Sequence, residues 1–387
     1  MWCGWRWIFR RRNARRADSQ IKVGRGCRPS EPTKGSEGAP NWLCPGPLQQ
    51  LSWEEPSMTY QKNLGAFALI AASGLAVASP ALSETVLKVG LIDPPAHIDV
   101  VATQRVADRV AELTDGEVKM EVYPAAQLGF ANDMLSGLKL GTVEMFVGAT
   151  TWLGTFETDF WISGTLYVFN DQEQARAMHQ SDAFKGMAED LVANHGIRVL
   201  AQNWDRGPRN FIATREVATI EDLEGLKIRV PPQESWIENF KLAGAAATPM
   251  PLSETFTGLQ QGIVESTEQA SNWLYGNKYH TIANHLTRTN HNYEETGVMI
   301  SETVYQSLTE DQRAAIAQAL DEVTDWHNEQ VAAQIAEAEE KMAAEGVAIA
   351  DVDVDAWKEH FRSNFDTIVE IVGYSPELVE SLKAEWK

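Results

Sequence analysis

The chain has 387 residues, with 54 Asp and Glu against 33 Lys and Arg, for a formal net charge of −21. Such an excess of acid repels nucleic acid and anionic lipid and favours solubility, so neither is expected as a partner. All three cysteines, Cys3, Cys27 and Cys44, lie before residue 58, so the remainder needs no disulfide to fold in an oxidising compartment.

Residues 1–57 are rich in arginine and tryptophan and show no periodicity. They are read as a leader or a disordered extension, with translation expected to begin at Met58. Residues 58–83 place Lys62 before an apolar stretch from Leu64 to Val77, then Pro80 and Ala81-Leu82-Ser83. A basic start, an apolar core too short to span a bilayer and small residues at the end make a secretory signal peptide, with cleavage after Ser83. No later segment is long and apolar enough to span a membrane. The expected product is an exported, acidic chain of about 300 residues, long enough for two domains.

"TVLKVGLI" (85–92) reads as a strand, and the apolar residues from His97 to Leu113 recur at helical spacing. "EVKMEVYP" (117–124) alternates strictly as a second strand, "NDMLSGLKLG" is a helix ending at Gly141, and "VEMFVGA" is a third strand. This β-α-β-α order predicts a parallel or mixed sheet covered by helices. A helix from Asp171 to His195 leads into two further strands, "IRVLAQNW" and "RNFIAT". A turn and a short capped helical piece then precede "GLKIRVP" (225–231), in which Leu226, Ile228 and Val230 alternate with Lys227 and Arg229. "SWIENFKLAGA" is helical, "TPMP" extended, and Ser253 caps "ETFTGLQQG", which stops at Gly262. After the strand-like "HLTRTNHNYEETGVMIS", one helix runs from Thr309 to Gly346 with a threonine cap, acids in its first turn and a glycine stop. Its length predicts that it crosses between domains or kinks. Its alanine-dominated stripe lacks the heptads of a coiled coil.

Histidines 280, 285 and 291 are spaced for neither one helix face nor a zinc signature, so no metal is expected, and no motif implies a cofactor. The chain carries no GxSxG, SxxK, Walker A or GxGxxG motif, which favours a non-enzymatic role over a secreted α/β enzyme. His97, after Pro94-Pro95, stands at a helix start, either as a cap or beside a cleft. Trp204 sits in "NWDRGPRNF" with Arg206 and Arg209; Trp273 sits in "QASNWLY" beside Asn272. Aromatic planes next to Arg, Asn and Gln suit a site that stacks a sugar-like ring and hydrogen-bonds its hydroxyls. Arg209 and Arg229 each occupy a short apolar strand. Were those strands adjacent, both guanidinium forks would reach one cleft and hold a carboxylate bidentately.

Two blocks, "RNFIATREVATIEDLEGLKIRVP" (209–231) and "LAGAAATPMPLSETFTGLQQGIVESTEQ" (242–269), closely resemble the periplasmic substrate-binding proteins of tripartite ATP-independent periplasmic (TRAP) transporters, the DctP-like family. "VYPAAQLG" (122–129), "LTEDQRAAIAQAL" and the long helix agree, and the resemblance extends over residues 84–387. It implies an α/β, two-lobed periplasmic binding protein with hinge strands and a long domain-spanning helix. Lobe I would be 84–206 plus 295–334, and lobe II 207–294 plus 335–387. By position, Arg229 would form the principal salt bridge to a ligand carboxylate, Arg209 would be a second contact, and Gln269 would supply an amide. Glu265-Ser266 replaces the usual Asp-Gly, and Gly148 stands where some sialic-acid-binding members have a glutamate, which argues against sialic acid.

The resulting expectation is a monomeric periplasmic protein that captures an organic acid and delivers it to TRAP membrane subunits without chemistry. The tryptophans favour a sugar acid such as a hexuronate. A C4-dicarboxylate, with Arg206 serving the second carboxylate, is the competing ligand, followed by a sulfonate or an aromatic acid. A sensory binding protein serving a receptor is the competing role.

Overall fold

A computed structural model describes residues 84–386; the expected leader, start site and signal peptide lie outside them. β1 (Thr85–Gly90) pairs in parallel with β2 (Val118–Tyr123) and β3 (Met145–Ala149), and α1 (Ile98–Leu113) and α2 (Ala131–Leu140) make the crossovers. α2 stops at Gly141, whose φ of 69° suits a residue without a side chain. The helix expected over 171–195 is broken. Asp171 caps α3 (Gln172–His179), Ser181 caps α4 (Asp182–Asp190), and one π turn runs from Leu191 to His195. The Ser181 hydroxyl accepts from the Phe184 amide, which starts a new helix where the pattern alone reads through.

β4 (Ile197–Ala213) is one 17-residue strand where two were expected. It passes through Gly207 at φ 81° and absorbs the irregularity as register shifts against a single antiparallel partner. Next come β5 (Lys227–Val230), α5 (Glu234–Leu242), β6 (Ala246–Pro249), α6 (Thr255–Gln260), β7 (Ser266–Ala270) and α7 (Ser271–Gly276). Ser253 does not cap α6; it lies in a 3-10 turn, Leu252–Glu254, that leads into the helix. The strand-like stretch after residue 284 is two strands, β8 (His285–Arg288) and β9 (Tyr293–Ser301), followed by α8 (Glu302–Ser307). α9 (Glu310–Ala344) has the expected Thr309 cap, closed into a box by Gln312. β10 (Ala348–Asp351) and three short helices, α10 (Val354–Ser363), α11 (Phe365–Val372) and α12 (Pro376–Glu385), complete the described chain.

The strands run in the order β2-β1-β3-β9-β4-β7-β5-β6, with β8 on β4 and β10 on β8. β1, β2 and β3 form one parallel group and β5, β6 and β7 another; antiparallel β9 and β4 join them. α9 spans the junction. Ile316, Leu320 and Val323 pack with Leu87, Val106 and Trp204, each apolar side chain contributing roughly 1.5–3 kcal/mol. Met342, near the other end, packs with Ile212, Leu274 and Leu286. The segment assigned to lobe II after residue 335 divides between cores. Trp357 joins Phe211 and Trp236, whereas Phe365, Leu378 and Leu382 join Phe146, Phe160 and Phe184. Among the described residues no helix is long and apolar enough to cross a membrane.

Candidate functional site

β5 has only four residues, and its alternation divides them as expected at three positions. Lys227 is exposed, while Ile228 and Val230 are fully buried. Arg229 departs from the pattern: it is polar yet only 3 % exposed. Its Nε donates to the carbonyl of Met250 at 3.0 Å. Among the described residues it has no carboxylate within salt-bridge distance, although the other arginines around it do. Burial pulls its pKa down to about 10, against the opposing pull of the Glu268 carboxylate. It therefore stays cationic at neutral pH, a desolvated charge without a counter-ion.

Arg229 lines a cavity of about 510 Å³ and an adjoining recess of about 40 Å³. Ile92, Trp152, Leu252 and Trp273 line both spaces. Ile92 follows β1, Trp152 follows β3, Pro231 to Gln233 follow β5, Leu252 follows β6 and Trp273 follows β7. The site thus collects the loops beyond the carboxyl ends of both parallel groups, the usual position for a ligand crevice in an α/β sheet.

Arg209 reaches the recess, as expected, but its guanidinium is already matched. Nε and Nη2 donate to the two oxygens of Glu268 at 2.5 and 2.7 Å, and Nη1 donates to Glu294 at 2.6 Å. The group also lies over the ring of Trp236, 4.3 Å from its centroid. Burial pushes the Glu268 carboxyl up, but the Arg209 cation and the hydrogen bonds from His291 and Arg209 together hold the group below its ordinary value. Arg206 lines the recess as well and is likewise occupied. Its Nη1 donates to Asp99 at 3.2 Å and to Thr296 at 2.8 Å, and its Nε lies 3.9 Å from Glu294. Neither arginine stands as a free second anchor. The pairings arise because β4, β7 and β9 are neighbours, which brings Glu268 and Glu294 onto the arginine side of β4.

Of the remaining expected residues, Trp273 and Gln269 reach the site and three do not. Trp273 lines both spaces, though it is only 2 % exposed. Gln269, 8 % exposed, lies in the recess. Trp204 is a correction: it is fully buried in the core, with its Nε1 donating to Thr324 Oγ1 at 3.0 Å and its ring stacked on His327. It sits within the unbroken β4 and turns toward α9, so it lines neither of the two spaces. Asn272 spends its side-chain oxygen on the Trp273 amide at 2.9 Å, within the first turn of α7. His97 caps α1 by accepting from the Asp99 amide and packs its ring against the back of Trp273. It supports the wall without forming it.

Behind His97 lies Asp93, fully buried, with both carboxylate oxygens lacking a hydrogen-bond partner among the described residues. Burial pushes its carboxyl up, while His97 opposes the shift. Asp93, His97 and Asp99 converge closely enough to resemble a metal-ligand set, but the Arg206 guanidinium already supplies the positive charge at Asp99. Reasoning from sequence passed over Phe130, Gln233 and Leu252, and noted Trp152 near a strand end without placing it in the site. The signal that finds them is topological: each lies just beyond a strand end or at the start of the next helix.

A family model described as bacterial extracellular solute-binding protein, family 7, matches residues 90–370. The chain is 29 % identical to a sialic acid-binding periplasmic protein of Vibrio cholerae, over 75 % of this chain and 90 % of that one. It is 28 % identical to a C4-dicarboxylate-binding periplasmic protein of Rhodobacter capsulatus, over 84 % of this chain and 99 % of that one. In three dimensions it is similar to a TRAP periplasmic solute-binding protein of Xanthobacter autotrophicus with bound β-D-galacturonate. The TM-score is 0.71 and the identity 26 %, over 77 % of this chain and 98 % of that one.

Proposed function

Because the chain belongs to the DctP family of bacterial extracellular solute-binding proteins, we propose that it captures an organic acid in the periplasm and hands it to the membrane subunits of a TRAP transporter. It binds and releases its ligand unchanged. One observation carries this reading: the Arg229 guanidinium is buried at the wall of an open cavity, with no carboxylate partner of its own among the described residues. Burying a cation is costly unless a counter-charge completes it. A ligand carboxylate does so, and arginine's planar fork matches its two oxygens. Arg209 and Arg206, held by Glu268, Glu294 and Asp99, keep the recess rigid around the anchor. Gln269 and Gln233 supply amides in the same recess.

The relatives divide on the rest of the ligand: a C4-dicarboxylate for one, a hexuronate for another. The hexuronate expectation draws support from the latter, but it loses Trp204, one of the two tryptophans that suggested it. Titration calorimetry against a panel of organic acids tests the core reading. Arg229→Ala should lower affinity at least a hundredfold, and Arg229→Lys should lower it about tenfold, because an ammonium cannot make both hydrogen bonds. Wild-type affinity in Arg229→Ala would remove the anchor and the reading with it.

A further inference from the structure

We propose that the ligand is a monocarboxylate whose body is an apolar ring, as in an arylalkanoate, an inference that rests on the organic-acid reading above. Its first support is the way the charges pair. Three arginines line the recess, Arg206, Arg209 and Arg229. Hydrogen bonds of 2.5–3.2 Å tie the first two to Glu268, Glu294 and Asp99. Among the described residues only Arg229 has no carboxylate within salt-bridge distance, so it alone offers an unpaired guanidinium to an incoming carboxylate. A second carboxylate placed there would have to break an existing pair or lie against Glu294, which also lines the recess.

The second support is the wall of the larger space. Ile92, Phe130, Trp152, Leu252 and Trp273 surround it, with three prolines between them. Its polar side chains, Arg229 apart, are Asn132, Ser253 and Asn277. Asn132 and Ser253 are exposed at its margin, and Asn277 donates its amide to the Trp273 carbonyl at 3.0 Å. Of the lining side chains, those with a buried polar atom lacking a partner among the described residues are Arg206 and Gln233, which border the recess alone, and Trp273, which borders both spaces. Most hydroxyls of a sugar acid would therefore lose water against apolar wall, with the Trp273 Nε1–H the one buried donor there that lacks a partner among the described residues. A flat ring instead gains contact with the indoles of Trp152 and Trp273, and its carboxylate reaches Arg229 past them.

The test is calorimetry of the purified protein at pH 7.5 with phenylacetate, phenylpyruvate, indole-3-acetate, D-galacturonate and succinate, together with tryptophan fluorescence. At least one of the three aryl acids should bind tenfold or more tighter than galacturonate and succinate, and binding should perturb the fluorescence. Trp152→Ala should weaken the aryl acid at least tenfold while the melting temperature stays within a few degrees, and Trp152→Phe should restore most of the affinity. Galacturonate or succinate binding as tightly as the aryl acids, or an unchanged affinity in Trp152→Ala, overturns the inference. Such binding leaves organic-acid capture standing provided that Arg229→Ala abolishes it. Binding of none of the five acids overturns the inference, and the wider panel of organic acids then decides whether organic-acid capture stands.

Discussion

Glu295 on β9 is fully buried, and its two carboxylate oxygens are unequally served. Oε1 accepts from Gln172 at 2.7 Å, while Oε2 has no partner among the described residues. Burial pushes its carboxyl well above the ordinary range, and the Asp205 carboxylate adds to the rise. A raised pKa in the folded state means a contribution to stability that is whole at low pH and lost as pH rises through the folded-state value. Glu295→Gln removes that loss. Its melting temperature should match wild type near pH 5 and exceed it by about 2–4 °C at pH 8, followed by scanning calorimetry; a gap that shrinks as pH rises would contradict the assignment. At this scale the sequence was partly legible. Arg229 showed itself as a charge on a strand that ends at a proline. The partners of Arg209 did not, because Glu268 and Glu294 lie 59 and 85 positions away and meet it only through sheet order. Trp204 misled because Arg, Gly and Pro around it read as a loop, whereas a bulged strand runs straight through.

β4 is the element on which the site depends, because its first part pairs with β9 and its second with β7 and β8. Gly207 lies between those parts at φ 81°, and a Cβ built there would come within 2.3 Å of Ile335 Cδ1 on α9. Gly207→Ala should cost about 1–2 kcal/mol for the left-handed backbone, with a smaller cost for moving the Ile335 methyl, measured by urea denaturation. No change would show that the strand adopts another conformation here. The strong periodicity of β1, β2 and α9 made those elements readable. The break between α3 and α4 was hidden because Ser181 acts as a cap only where the chain actually turns. The 3-10 turns that carry Trp152 and Leu252 have no period to read.

The molecule as a whole is strongly acidic, yet its proposed ligand is an anion. At low ionic strength the summed field of the −21 charge opposes encounter, and the Debye length shortens from about 30 Å at 0.01 M salt to about 8 Å at 0.15 M. The association rate constant of a bound organic acid should therefore rise with added sodium chloride in stopped-flow fluorescence, while dissociation, governed by contacts inside the recess, changes little. A rate that falls with salt would mean that the local field of Arg229 outweighs the rest of the surface. The β-α alternation and the long helix made the architecture readable at this scale. The crossing of the last helices back to the first core was not, since nothing in α11 or α12 names its distant partners Phe146 and Phe184.

The balanced arginines have a consequence for how such a protein diverges. Arg206 and Arg209 are neutralised by acids on the sheet and α1, whereas the walls of the cavity come from loops and helix starts beyond the strand ends. Substitutions at Phe130, Trp152 or Leu252 change the shape offered to a ligand without leaving any buried charge uncompensated. Descendants of one ancestor can thus exchange one acid for another by small mutational steps, with the anchor on β5 inherited intact.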